Sequence, residues 1–267
     1  MNYVLEEEKI LNEWWDEFKR NSNNPKIFAF DGILFRGKLV KDSSGYWIHE
    51  HDIERTNKTW TEAGKRILYL TKDQNLGGEE EAWDDRKLSF KKKNSDKDNT
   101  DNRGEPFYRR ILWTLYGLAM TTPEKKMEFD SFTNEEALNL SEQYPFAKIN
   151  CRKEGGTSKC ENYILEAAMN EYALFLEKQI LNLDADIFVC CGSQLNRNVM
   201  IEFLNKHGYN FNCVSYAIWY DENKNKIAIY AYHPSYRKVT DENYYEEVVD
   251  SYFKFLKEHP QFNAPHR

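Results

Sequence analysis

The sequence predicts a three-layer α/β/α fold with a central, mostly parallel sheet of about four core strands. Three observations carry that expectation. Short apolar runs of β type occupy residues 67–71, 146–150, 186–191 and 226–232, and long amphipathic segments separate most of them. Strands alternating with helices of that length imply parallel strands covered on both faces. Finally, Asp73, Asn150 and His233 each follow one of these runs. In an α/β fold, polar residues just past the carboxyl ends of neighbouring strands converge on one crevice.

The elements follow in order. Leu5, Ile10, Leu11, Trp14, Trp15 and Phe18 fall mainly at spacings of three and four, which reads as an amphipathic helix in an N-terminal extension of about residues 1–25. Asn21 to Pro25 ends it, and the stretch to Trp60, with an Asp31-Gly32 turn, is the least readable part of the chain. Residues 86–105, rich in Lys, Asp and Asn, hold too little apolar surface to order themselves and read as a mobile charged loop. Helices follow at 107–120 and from Thr133, where Thr133 and Glu136 have the spacing of a capping box. A single long helix is expected over 161–183, another over 194–207 stopped by Gly208, and a last one over 240–259 stopped by Pro260. Residues 212–220 and 226–232 read as two strands of a hairpin. No repeat and no internal boundary divides the chain, so one domain over 1–267 is expected.

Composition narrows the class. A formal charge of −7 and a pI near 5.5 exclude a surface that is a nucleic-acid platform throughout, but leave room for a local basic face. Lys91-Lys92-Lys93, Arg109-Arg110, Arg152-Lys153, Lys159 and Arg237-Lys238 are its candidates, with solvated surface charge the alternative for each. The five cysteines form no C-x-x-C pair and no zinc or iron–sulfur spacing, so reduced thiols and no metal are expected. The first residues lack a secretory leader's pattern, and no apolar run reaches about 18 residues. The expectation is a soluble, cytoplasmic protein, monomeric and without a cofactor.

Taken singly, Asp73 has the reading of a cap or turn residue, and Asn150 that of an ordinary connection into the loop from Cys151 to Ser158. His233-Pro234-Ser235 is more informative, because Pro234 fixes the turn and makes a rigid mount for an imidazole. As an ordered set, they make residues 65–240 resemble the uracil-DNA glycosylase superfamily. Thr71-Lys72-Asp73-Gln74-Asn75 is similar to that family's Gly-Gln-Asp-Pro-Tyr water-activating motif, 146–150 to its strand ending in a base-reading Asn, 186–193 to the strand before its Gly-Ser turn, and 233–237 to its His-Pro-Ser loop.

The resemblance implies catalytic roles for Asp73 and His233. It implies substrate contacts from Lys72, Gln74, Asn75, Asn150 and Ser193, with Trp83 or Phe90 as the stacking face. DNA contacts fall to Arg152, Lys153, Ser158, Ser235, Tyr236 and Arg237, with Tyr236 as a wedge into the duplex or packed against the last helix. Gln74 and Asn75 depart from the motif. Asn75 replaces the Tyr that closes the family's uracil pocket against C5 substituents, and the cysteine pattern excludes the iron–sulfur branches.

The chemistry suits these residue types. Breaking an N-glycosidic bond builds positive charge on the sugar and negative charge on the base. A carboxylate can position water and stabilise the first, and a neutral imidazole can stabilise the second. An amide can read a flipped base on its Watson–Crick edge. The expectation is a DNA glycosylase acting on uracil or on a C5-modified or hypermodified pyrimidine, with phage defence as a natural role. The alternatives are a catalytically inactive member of the fold that binds DNA or a protein partner, and an α/β enzyme acting on a small nucleoside or glycoside.

Overall fold

Each of the four apolar runs becomes a strand, and the four lie side by side in parallel. In the computed structural model, which describes residues 1–77, 79–90, 106–157, 159–192 and 198–263, these are β4 (Ile67–Thr71), β5 (Phe146–Asn150), β6 (Ile187–Cys191) and β9 (Lys226–Ala231). Before them come β1 (Gly32–Ile33) and a small hairpin of β2 (Leu39–Lys41) and β3 (Trp47–His49). Between β6 and β9 lie β7 (Asn212–Cys213) and β8 (Ile218–Asp221). The main sheet runs β1-β5-β4-β6-β9-β8-β7, parallel within β5-β4-β6-β9 and antiparallel at both margins.

Alternation along each strand divides the core into two layers. Leu68, Leu70, Ala147, Ile149, Phe188, Cys190 and Ala228 face one side, where they meet residues of α1 (Tyr3–Asn21), α2 (Ile53–Glu62), α5 (Asn162–Glu171), α6 (Ala173–Leu183) and α7 (Val199–Lys206). Ile67, Tyr69, Phe146, Ile187, Val189, Ile227 and Ile229 face the other, against α3 (Pro106–Met120), α4 (Asn134–Gln143) and α8 (Asp241–Glu258). The predicted three-layer architecture with a four-stranded parallel core is the one observed.

Local signals behave as their chemistry requires. Thr133 and Glu136 form the reciprocal capping box at the start of α4, and Gly208 takes φ +98° beyond α7. The helix expected over 161–183 instead breaks at Tyr172, whose ring lies 5.9 Å from Trp14 and 6.3 Å from Phe18 on α1. Packing on the N-terminal helix overrides a periodicity that runs through the break. The segment read as one strand over 212–220 folds as β7, a tight turn and β8.

The N-terminal helix is integral to one layer, with Val4, Ile10, Leu11, Trp14 and Phe18 buried. Its Glu7 carboxylate accepts from Ile33 N at 3.0 Å, and a Cβ on Gly32 would lie 2.0 Å from Glu7 Oε1, so only glycine lets the carboxylate reach the strand. The predicted mobile loop over 86–105 begins too early. Phe35 N donates to Arg86 O, Leu88 bridges Ile48, and Phe90 is buried, while 91–105, with Lys91-Lys92-Lys93, lie outside the described residues.

Candidate functional site

The parallel strands end on one edge, and the chain that leaves them carries the predicted residues there. Asp73 lies two positions past β4, Asn150 is the last residue of β5, Gly192 follows β6, and His233 lies two positions past β9. Gly192, at φ +106°, is where two of these exits close up. A Cβ there would stand 3.0 Å from Lys72 Cε and 3.4 Å from His233 Cδ2.

Asp73 has a side chain only 7% exposed. Its Oδ2 accepts from Arg152 Nη1 at 3.3 Å, and Gly156 leaves it space, because a Cβ there would come within 2.5 Å of the same oxygen. Burial pushes the carboxyl up from its ordinary value, opposed by Arg152, by the Cys160 thiol that donates to it and by Lys72. Lys72 Nζ donates to Cys160 O at 2.9 Å and to Asn162 Oδ1 at 3.1 Å.

His233 is held in one protonation state. Burial, with the positive charges of Lys72 and Lys148, lowers its pKa to about 4. Ser235 N donates to Nδ1 at 3.2 Å, which places the imidazole proton on Nε2. The Phe107 ring lies 5.5 Å from the imidazole at the start of α3, with Lys148 Nζ 5.7 Å from its centroid.

The loop that carries His233 is clamped from beneath by Arg110. Its Nη1 donates to Pro234 O at 3.0 Å and Tyr236 O at 2.6 Å, its Nη2 to Val239 O at 2.8 Å, and its Nε to Asp241 Oδ1 at 2.7 Å. Arg110 and Arg109, both paired with Asp241, are therefore structural and not part of a basic face. The sequence gives Phe107 no role and reads Arg110 only as part of a candidate basic face. The one signal for Arg110 is a charge at a buried position of an otherwise apolar helix.

Asn150 does not have the predicted role. It is 1% exposed, and both ends of its amide are hydrogen-bonded within the protein. Nδ2 donates to Asp31 Oδ2 and Asp85 Oδ2, each at 3.0 Å, while Oδ1 accepts from Thr71 Oγ1 at 2.9 Å. The two carboxylates belong to a buried network in which Lys148 pairs with Asp85 and Lys153 with Asp31. Lys153 is thus a buried partner of Asp31, 4.9 Å from the Trp14 ring centroid, and not a DNA contact. Replacing Asp31 with alanine strands that ammonium, and chemical denaturation should show a loss of about 3–5 kcal/mol; a loss below about 1 kcal/mol would mean that the network does not hold the fold.

The remaining candidates divide. Phe90 is a core residue stacked on Phe146 and cannot be a pocket wall, whereas Trp83 is 40% exposed with its Nε1 donating to Asp85 Oδ1 at 2.8 Å. Gln74 is buried and holds Trp83, accepting from Trp83 N at 3.0 Å and donating to Trp83 O at 3.1 Å. Asn75 turns outward and accepts from Gly77 N. Arg152 splits its guanidinium between Asp73 and Glu154, so as placed it serves the carboxylates before any phosphate. Ser235, Tyr236 and Arg237 are exposed, with the Tyr236 ring stacked on Tyr232 at 5.0 Å. Ser158 and Ser193 lie outside the described residues.

A cavity of about 350 Å³ adjoins this edge, walled by Trp14, Phe18, Asn23, Arg152, Glu154 and Tyr172 among others. Among the described residues no cluster of three His, Cys, Asp or Glu side chains is placed to hold a metal, and no helix is long and apolar enough to cross a membrane. No protein-family model, curated protein or solved structure matches this chain.

Proposed function

We propose that the protein is a DNA glycosylase that hydrolyses the N-glycosidic bond of a flipped-out pyrimidine, uracil or a C5-modified base. The observation that carries this reading is the placing, past the ends of β4 and β9 on one sheet edge, of a buried carboxylate at Asp73 and of an imidazole at His233 kept neutral and protonated on Nε2. Asp73 orients water and stabilises the cationic sugar, and the His233 Nε2–H stabilises the departing anionic base. Phe107 beside the imidazole, and Trp83, offer the flat faces that a flipped base needs. Because the Asn150 amide is spent internally, base selection falls to other groups, and Asn75, turned outward, leaves room for a C5 substituent. A role in phage defence belongs to the same proposal.

A second reading, an inactive member of the fold that binds DNA, draws on the same Asn150, whose two amide donors are both committed to carboxylates and leave none for a base. Incubation with duplex and single-stranded DNAs carrying uracil or modified pyrimidines, with free base measured by mass spectrometry, separates the two. We expect free base from at least one substrate and none with Asp73→Asn. Steeply salt-dependent DNA binding without base release from any substrate would favour the second reading.

A further inference from the structure

Beside the His233 loop runs a row of tyrosines for which the chemistry above has no use. Tyr216 lies 6.5 Å from Tyr230, Tyr230 lies 5.7 Å from Tyr232 in an edge-to-face contact, and Tyr232 stacks on Tyr236 at 5.0 Å with the rings 15° apart. Tyr230 is buried on β9 and anchors the row, Tyr232 is half-buried, and the end members stand out at 67% for Tyr216 and 37% for Tyr236. Tyr216 is presented on the tight turn into β8, where Val214 N and Ser215 N both donate to Ile218 O.

We infer that Tyr216, Tyr232 and Tyr236 form a stacking platform for unpaired bases of a single DNA strand leading to the excised nucleotide; the inference rests on the glycosylase reading for its ligand. Two observations favour this occupant. The row ends on the loop that carries His233, so a strand lying on it would enter the site directly. Exposed Arg237 and Lys238 follow Tyr236 and offer phosphate contacts, while Glu247 acts on Tyr232 from α8, which places the backbone on the Arg237 side. Aromatic platforms combined with a cationic track are the usual way to hold a single strand without reading its sequence.

The test uses the full chain and two fluorescently labelled single-stranded oligonucleotides of equal length, one of thymidines and one with abasic linkers at the positions flanking the central nucleotide. Tyr216→Ala should weaken binding of the thymidine strand about 5- to 10-fold, at the low end of the stacking range for one exposed ring. It should leave the abasic strand unchanged, and Tyr216→Phe should bind both as the unaltered protein does. Equal losses on both strands, or no loss on either, would overturn the platform, as would failure of the unaltered protein to bind the thymidine strand. Base release at saturating DNA reads the catalytic proposal separately, because the platform's binding pattern does not depend on turnover.

Discussion

Replacing Asp73 with asparagine should lower the rate of base release by about 10²–10⁴-fold, the range for loss of one positioned acid or base. DNA affinity should stay within a few-fold of the original. The asymmetry follows from where the charge acts. The carboxylate meets little positive charge in the bound substrate and a full oxocarbenium-like charge at the transition state, so its removal is felt in kcat before binding. Asparagine keeps the shape and can still accept from Arg152, so the packing around Gly156 should survive. The pH profile carries a second reading of the same residue. Burial raises the Asp73 carboxyl from its ordinary value, and the proposed reaction needs it ionised. Activity should therefore fall with acid at a higher pH than for an ordinary aspartate, and the fall should be absent from the residual activity of Asp73→Asn. Unchanged turnover in the variant would remove Asp73 from the mechanism.

The fold was legible because it depends on features local to the sequence. Each core strand is a run of five or six residues buried on both faces, and such runs are nearly continuous in apolar residues. The strand exits were legible for the same reason, since the residue after a run shares its edge. What those residues touch was not legible. Asn150 looks the same in sequence whether its amide faces a base or two carboxylates, and the carboxylates that claim it come from 119 and 65 positions away. Lys153 and Phe90 fail in the same manner, one claimed by Asp31 and the other by Phe146. Arg110 is the opposite case, a charge that reads as surface and turns out to hold the loop of the imidazole. Long-range partners decided the site, and one sequence contains no record of them.

Replacing His233 with alanine should slow base release by ~10²–10³, the cost of deleting one preorganised donor at a developing anion. The size of the loss should not depend on pH. With its pKa lowered to about 4, the imidazole is neutral across the window of about pH 5 to 8 in which an ordinary histidine titrates. Its Nδ1 is occupied by Ser235 N, so Nε2–H is the donor left for a base. Lys72 and Lys148, which depress the imidazolium, also favour an anion beside it, so the same charges suppress the protonated ring and assist the leaving group. Alanine removes the bond to Ser235 as well, but Arg110 still grips the carbonyls of Pro234, Tyr236 and Val239, which keeps the loop in place. The loss can then be assigned to the missing donor. The measurement is the ratio of kcat for the two proteins at several values of pH. A flat ratio of the expected size fits a neutral donor, whereas a ratio that changes through about pH 6.5 would mean that His233 works as an imidazolium or as a base.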